Sequence, residues 1–177
     1  MTAQAEGLPL PQPLAAAGVE IVHAFAPGDL GELIRIHGLG NARDYGFNEV
    51  HEAYCARIAA DFILEANPRR SRVWLAKKNG RVVGSVFICE CPDDRAQLRL
   101  LYADAPVRGL GLGRWLTEAA VDYCRRTGFR AVFLWTVAGL ERARAIYEAL
   151  GFRLAETRHN EDWGRVAREL RYELALR

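Results

Sequence analysis

A glycine-rich turn constrains this chain more than any other stretch. Arg108-Gly109-Leu110-Gly111-Leu112-Gly113-Arg114 lies between Gln97–Ala103, a run with strand character, and Trp115–Thr127, whose apolar residues repeat at helical spacing. A turn that leaves a strand and opens a helix gathers unpaired first-turn amides at the positive end of the helix dipole. Such a point suits an anion. Gly109, Gly111 and Gly113 have no Cβ, so backbone amides can close on a phosphate, and Arg108 and Arg114 add positive charge. Three phosphate-binding patterns compete for this turn. A P-loop ends in Gly-Lys-Ser/Thr, whereas Gly113 is followed by Arg114 and Trp115. A dinucleotide loop spaces its glycines Gly-x-Gly-x-x-Gly, which these do not match. The third pattern, Arg-x-x-Gly-x-Gly, fits Arg108, Gly111 and Gly113.

The remaining sequence narrows the class. At 177 residues, half of them hydrophobic, the chain suits one domain with a full core. A formal net charge of +2 argues against a nucleic-acid partner, which calls for a strongly basic face. Apolar runs fall short of the roughly 20 residues of a membrane helix. Cys55, Cys89, Cys91 and Cys124 lack zinc-ligand spacing, so no metal is expected, and they read as reduced thiols of a cytoplasmic protein. The first 18 residues, with Pro9, Pro11 and Pro13 alternating, read as a flexible leader rather than a secretory signal.

The pattern predicts the elements that follow. Val19–Phe25 reads as a strand. A helix begins near Pro27-Gly28-Asp29, with Leu30, Leu33, Ile34 and His37 on one face. Asn48 is placed to cap a second helix, whose apolar face uses Tyr54, Ile58, Phe62 and Leu64. From Ser71 the period becomes two. Val73–Lys77 and Val82–Cys91 form a hairpin around Asn79-Gly80, followed by the strand Gln97–Ala103. Leu112–Thr127 is a helix closed by Gly128, and Ala131–Val137 a nearly all-apolar buried strand. A short helix Leu140–Leu150 precedes two closing strands, Phe152–Arg158 and Val166–Leu176, joined by a polar loop from His159 to Gly164.

This order, together with the turn and Ala143-x-x-x-Tyr147-x-x-Leu150-Gly151-Phe152, resembles the GNAT superfamily of N-acyltransferases across residues 19–177. More narrowly, Phe62–Cys91, Leu98-Arg99-Leu100-Leu101-Tyr102 and Leu134-Trp135-Thr136-Val137 resemble the acetyltransferase half of proteins that fuse a MarR-type regulator to a GNAT domain. The resemblance implies an α/β fold with a mixed, mostly antiparallel sheet flanked by helices. It implies acetyl-CoA as co-substrate and direct transfer to a primary amine, on a small molecule or a peptide. It assigns Arg108, Gly109, Leu110, Gly111, Leu112, Gly113 and Arg114 to the pyrophosphate. It assigns the backbone of Leu101, Tyr102 and Ala103 to the pantetheine arm, and Tyr147 to the thioether sulfur. Where many relatives carry Asn seven residues before the tyrosine, this chain has Leu140.

Acyl transfer needs a donor for the departing thiolate and an acceptor for the amine proton. A phenol with an ordinary pKa near 10 keeps its proton at neutral pH, which makes Tyr147 the candidate acid. Glu90 is the favoured base over Asp93 and Asp94; His51 and His159 are the histidine options, and each reads first as a surface residue. Acidic residues near the expected acceptor side favour a cationic amine. Trp163 reads equally as a substrate wall and as a loop anchor. A non-catalytic acyl-CoA sensor on the same fold and an unrelated nucleotide binder are the rival readings, and a homodimer is left open.

Overall fold

The computed structural model describes residues 7–177. Seven strands form one sheet in the order β1-β2-β3-β4-β5-β7-β6. They are β1 (Val19–Val22), β2 (Arg72–Lys78), β3 (Arg81–Cys91), β4 (Arg95–Ala103), β5 (Ala131–Val137), β6 (Arg153–Asn160) and β7 (Ala167–Ala175). Neighbours are antiparallel except β4 and β5, which the helix α4 (Leu112–Thr127) joins as a crossover. The other helices are α1 (Gln12–Ala16), α2 (Asp29–Tyr45), α3 (Glu49–Glu65) and α5 (Glu141–Ala149).

Strand alternation feeds two cores. Val73 and Leu75 of β2 point to Leu33 and Ile36 of α2 and Ala59 of α3. Trp74 and Ala76 point the other way, to Leu112, Leu116 and Ala120 of α4. With both faces covered, the middle of β3 is continuously buried. The helix boundaries follow local chemistry. Asn48 accepts from the Val50 amide at 3.1 Å and starts α3, and Gly46 and Gly128 end α2 and α4 in left-handed conformations. Asn79 and Gly80, at φ of 52° and 76°, turn the β2–β3 hairpin.

Three expectations are corrected. The strand β6 continues to Asn160, so His159 lies in a strand and not in the loop. Leu64 is 79% exposed, because it falls on the opposite side of α3 from the buried stripe of His51, Cys55, Ile58 and Ala59. The expected flexible leader 1–18 carries packed structure from Leu10 to Ala17, while residues 7–9 are exposed and residues 1–6 lie outside the described residues. Pro11 and Pro13 stand at the start of α1, where a missing N–H costs nothing. Leu14 is fully buried in the α4-side core, and the Trp115 indole donates to the Pro9 carbonyl at 2.9 Å.

Candidate active site

The sheet opens where β4 and β5 part. Their pairing joins Arg95–Leu98 to Ala131–Leu134 and stops, although β4 runs on to Ala103 and β5 to Val137. The cause is local. The register of β4 against β3 shifts between Ser85 and Phe87, and Leu100 takes a φ of 47°, so β4 bends at a bulge. Meanwhile β7 holds β5 through Val137 and Glu169. The facing edges beyond Leu98 and Leu134 therefore have no strand partner. An extended amide-bearing chain laid between them would pair as an added strand.

This gap is the middle of a cavity of about 630 Å³. Leu101, Tyr102 and Ala103 line it from β4, and Trp135, Thr136 and Val137 from β5. The glycine turn and α5 close one end, and Phe47, His51, Tyr54 and Trp163 the other.

At the first end, Gly109 and Gly111 have φ of 79° and 86°, a conformation open mainly to glycine. A Cβ on Gly109, Gly111 or Gly113 would meet no heavy atom within 4 Å, so their bare backbone faces open space. The first bond of α4 runs from the Trp115 amide to the Gly111 carbonyl, which leaves the amides of Leu112, Gly113 and Arg114 without a helical acceptor. Leu112 is buried and Leu110 packs on the core, so both offer backbone only. The turn thus presents unpaired amides to open space, an arrangement that suits an anion. The two arginines are less free than the sequence suggests. Arg108 is ion-paired with Asp44 and donates to the Ala103 carbonyl and the Tyr102 hydroxyl, and Arg114 pairs with Glu118 at 2.8 Å. Hydrogen bonding from Arg43 first, opposed by burial and then reinforced by Arg108, holds the Asp44 carboxyl down to about 2.

Tyr147 lies on α5, 5% exposed, with its ring centroid 6.0 Å from Phe152 and 6.1 Å from Tyr172. Burial, then the nearby Tyr45, pushes its phenol well above the tyrosine range, so it keeps its proton at neutral pH. Leu140 also lines the cavity, at the start of α5.

The structure does not bring Glu90 to this cavity. It sits where β3 meets the beginning of β4, bound to Arg70 at 2.6 Å and to the Asn67 amide at 2.9 Å. Asp94 also pairs with Arg70. The acidic residues expected near the acceptor are therefore elsewhere, and the one carboxylate among the cavity's lining residues is Glu169. It is buried and held by Arg158 at 2.8 Å and Asn160 at 3.3 Å. Its signal in the sequence is one charged residue in a strand of mixed character, which marks nothing by itself.

The far end is aromatic. His51 stacks on Phe47 at 4.7 Å and meets the Trp163 ring edge-on at 4.7 Å; Tyr54 lies 5.7 Å from Trp163. His51 is thus buried, contrary to its reading as a surface residue, because the loop after β6 folds over it. Trp163 serves as both wall and anchor. Its carbonyl accepts from the Asn48 amide at 3.2 Å while its ring borders the cavity.

Two histidines here are held neutral. His37 contacts the Ser85 hydroxyl at 3.2 Å and is 3% exposed; burial, then the second histidine, pushes it down to about 3. Burial likewise brings His51 to about 4, with Glu169 opposing. In the unfolded chain both would take a proton near pH 6.5. Between that value and their folded pKa values the unfolded state binds more protons, so stability falls as pH falls. His37 alone is expected to cost about 2 kcal/mol between pH 6.5 and 5, at ~1.4 kcal/mol per unit, with His51 adding in the same direction. Urea unfolding at pH 7.5 and 5.0 checks this, and equal stability at the two values would contradict it. Burial also pushes the cavity thiol Cys55 up to about 12, so at neutral pH it is a protonated thiol and not a nucleophile.

A family model described as "Acetyltransferase (GNAT) family" matches residues 39–152. A mycothiol acetyltransferase of Thermomonospora curvata is 28% identical over 152 residues, covering 81% of this chain and 47% of that protein. The first curated relatives are matched over only 31% to 63% of their own length. An acetyltransferase of the GNAT family from Staphylococcus aureus Mu50 superposes with a TM-score of 0.72 at 17% identity, covering 90% of this chain and 99% of that one. The Salmonella typhimurium yncA structure, a putative acetyltransferase with acetyl-CoA as its cofactor, gives 0.66 at 18% identity, with 90% and 95% covered. These structural likenesses concern the fold alone.

Proposed function

Because the chain belongs to the GNAT acetyltransferase family, we propose that it moves an acetyl group from acetyl-CoA directly to a primary amine. The observation that carries this reading is that three unlike features border one cavity. They are the glycine turn with its unpaired amides, the two unpartnered strand edges, and the buried phenol of Tyr147.

When bound, acetyl-CoA supplies a thioester, the activated form of the acetyl group. The amides from Gly109 to Arg114 hold the pyrophosphate, and the helix dipole of α4 favours its charge. The backbone edge of Leu101, Tyr102 and Ala103 aligns the pantetheine arm. A strand amide here also donates to the carbonyl oxygen as it gains charge, so no side chain is needed for that task. Tyr147 gives its proton to the departing sulfur. No side chain among the cavity's lining residues replaces Glu90 as a strong base: His51 borders the acceptor end, but burial holds its protonated form too unstable to carry the amine's proton, which leaves through water. The protonated state of Cys55 supports direct transfer over a cysteine-bound acyl group. The narrower likeness to MarR-type fusion proteins adds nothing to this chemistry.

Leu140 favours one other reading, an acyl-CoA binder without turnover, since the side-chain amide of many relatives is missing there. Among the described residues no helix is long and apolar enough to cross a membrane, and the four cysteines are unpaired, which supports a reducing compartment such as the cytoplasm. Thiol release from acetyl-CoA across a panel of amines tests the proposal. Amine-dependent release is expected. Tight acetyl-CoA binding by calorimetry without release on any amine would favour the binder, and preference for ATP or NAD would overturn both.

A further inference from the structure

The charges at the acceptor end do not match a simple cationic amine. Glu169 is already compensated by Arg158 and Asn160. Arg99 is not. It is the first residue of β4 beyond the last pair with β5, so it stands at the apex of the gap. Arg99 pairs with Phe87, which faces α2 and α3, and the guanidinium reaches the same side. One of its nitrogens donates to the Tyr54 hydroxyl at 3.0 Å, and its centre lies 5.7 Å from the Tyr54 ring centroid. Among the described residues no carboxylate pairs with it, although it lines the cavity. A guanidinium has five N–H donors in a planar fork. With one used by Tyr54, the fork retains donors for a planar anion from the substrate.

We propose that the acceptor is an amine that also bears a carboxylate a few atoms away, as in an α-amino acid, and that Arg99 binds that carboxylate. The aromatic wall of Phe47, His51, Tyr54 and Trp163 encloses the remainder of the molecule. Tyr54 orients the guanidinium from below while its own ring meets Trp163. A peptide N-terminus or a diamine would present no carboxylate at this distance from its amine. The inference rests on the acetyl-transfer reading only for which end of the cavity receives the acceptor.

The experiment measures binding separately from turnover. Natural α-amino acids and their decarboxylated counterparts are titrated by calorimetry into the protein saturated with CoA. For the matching amino acid, affinity is expected to exceed that of its decarboxylated amine by at least about tenfold, in line with hydrogen bonds to charged groups. Arg99→Gln should abolish the difference, and Arg99→Lys, which keeps charge but loses the fork, should restore part of it. Equal or weaker binding of every amino acid relative to its amine would overturn the proposal. So would a difference that survives in a folded Arg99→Gln protein. Thiol release on the same panel reports on amine transfer alone. Carboxylate-dependent binding without release would sustain Arg99 and count against the transferase reading. Release with carboxylate-indifferent binding would do the reverse.

Discussion

Replacing Tyr147 by phenylalanine is expected to lower turnover by at least about tenfold while leaving acetyl-CoA affinity nearly unchanged. The substitution removes one oxygen and keeps the ring, which packs against Phe152 and Tyr172. The glycine turn and the strand edges stay in place. General acid catalysis is worth roughly 10²–10⁴-fold, and water could supply part of it in the variant. The protonation state of Tyr147 makes the assignment specific. Burial raises the phenol's pKa, so across neutral pH the resting group holds its proton and is available as a donor. Loss of rate in the variant should therefore be constant between pH 6 and 9, because no titration of Tyr147 falls in that range. Single-turnover measurements isolate the chemical step. A variant with full single-turnover rate would show that water protonates the sulfur and that Tyr147 only walls the cavity.

The parts of this site that sequence made legible are those whose chemistry lives in the backbone. Gly109 and Gly111 take left-handed φ, a conformation that favours glycine, so the turn itself is visible in the sequence. The boundaries of α4 coincide with expectation for the same reason, since Gly111 and Gly128 punctuate both ends. The split between β4 and β5 has no such mark. It depends on a bulge at Leu100, a residue type with no preference for that conformation, and on the grip of β7 on β5. Side-chain partners across the sheet were equally hidden. Arg108 looks like a phosphate ligand until Asp44, 64 positions away, is found against it. Glu90 looks available until Arg70 claims it. His51 and Trp163, 112 positions apart (163 minus 51), become one wall only when the loop after β6 closes on α3. Periodicity reports which face of an element is apolar; it is silent on which residue of another element meets that face.

Truncating Leu14 to alanine is expected to destabilise the protein by about 2–5 kcal/mol, the usual cost of emptying a fully enclosed leucine site. A prolyl segment of mixed polarity gives no sequence pattern strong enough to announce this. Only one full turn of helix presents a side chain inward, too short for a repeat to show. Yet Leu14 has no exposed surface, Leu10 packs beside it, and the Trp115 indole finds its acceptor in the same segment. The segment therefore covers the apolar face of α4 beside β1 and behaves as part of the domain. For a chain of this size, ~1 kcal/mol moves Tm by roughly 2–4 °C, so a fall of at least about 4 °C should be visible. Leu64→Ala is the matched control. It deletes the same atoms from a side chain that is 79% exposed, and should change Tm by no more than about 1–2 °C. The Leu14 variant should bind acetyl-CoA normally once folded, since α1 does not border the cavity. A Tm equal to wild type would mean the segment leaves the α4 face in solution. In that case the indole of Trp115 would also lose its carbonyl partner, and its fluorescence would shift toward that of a water-exposed ring.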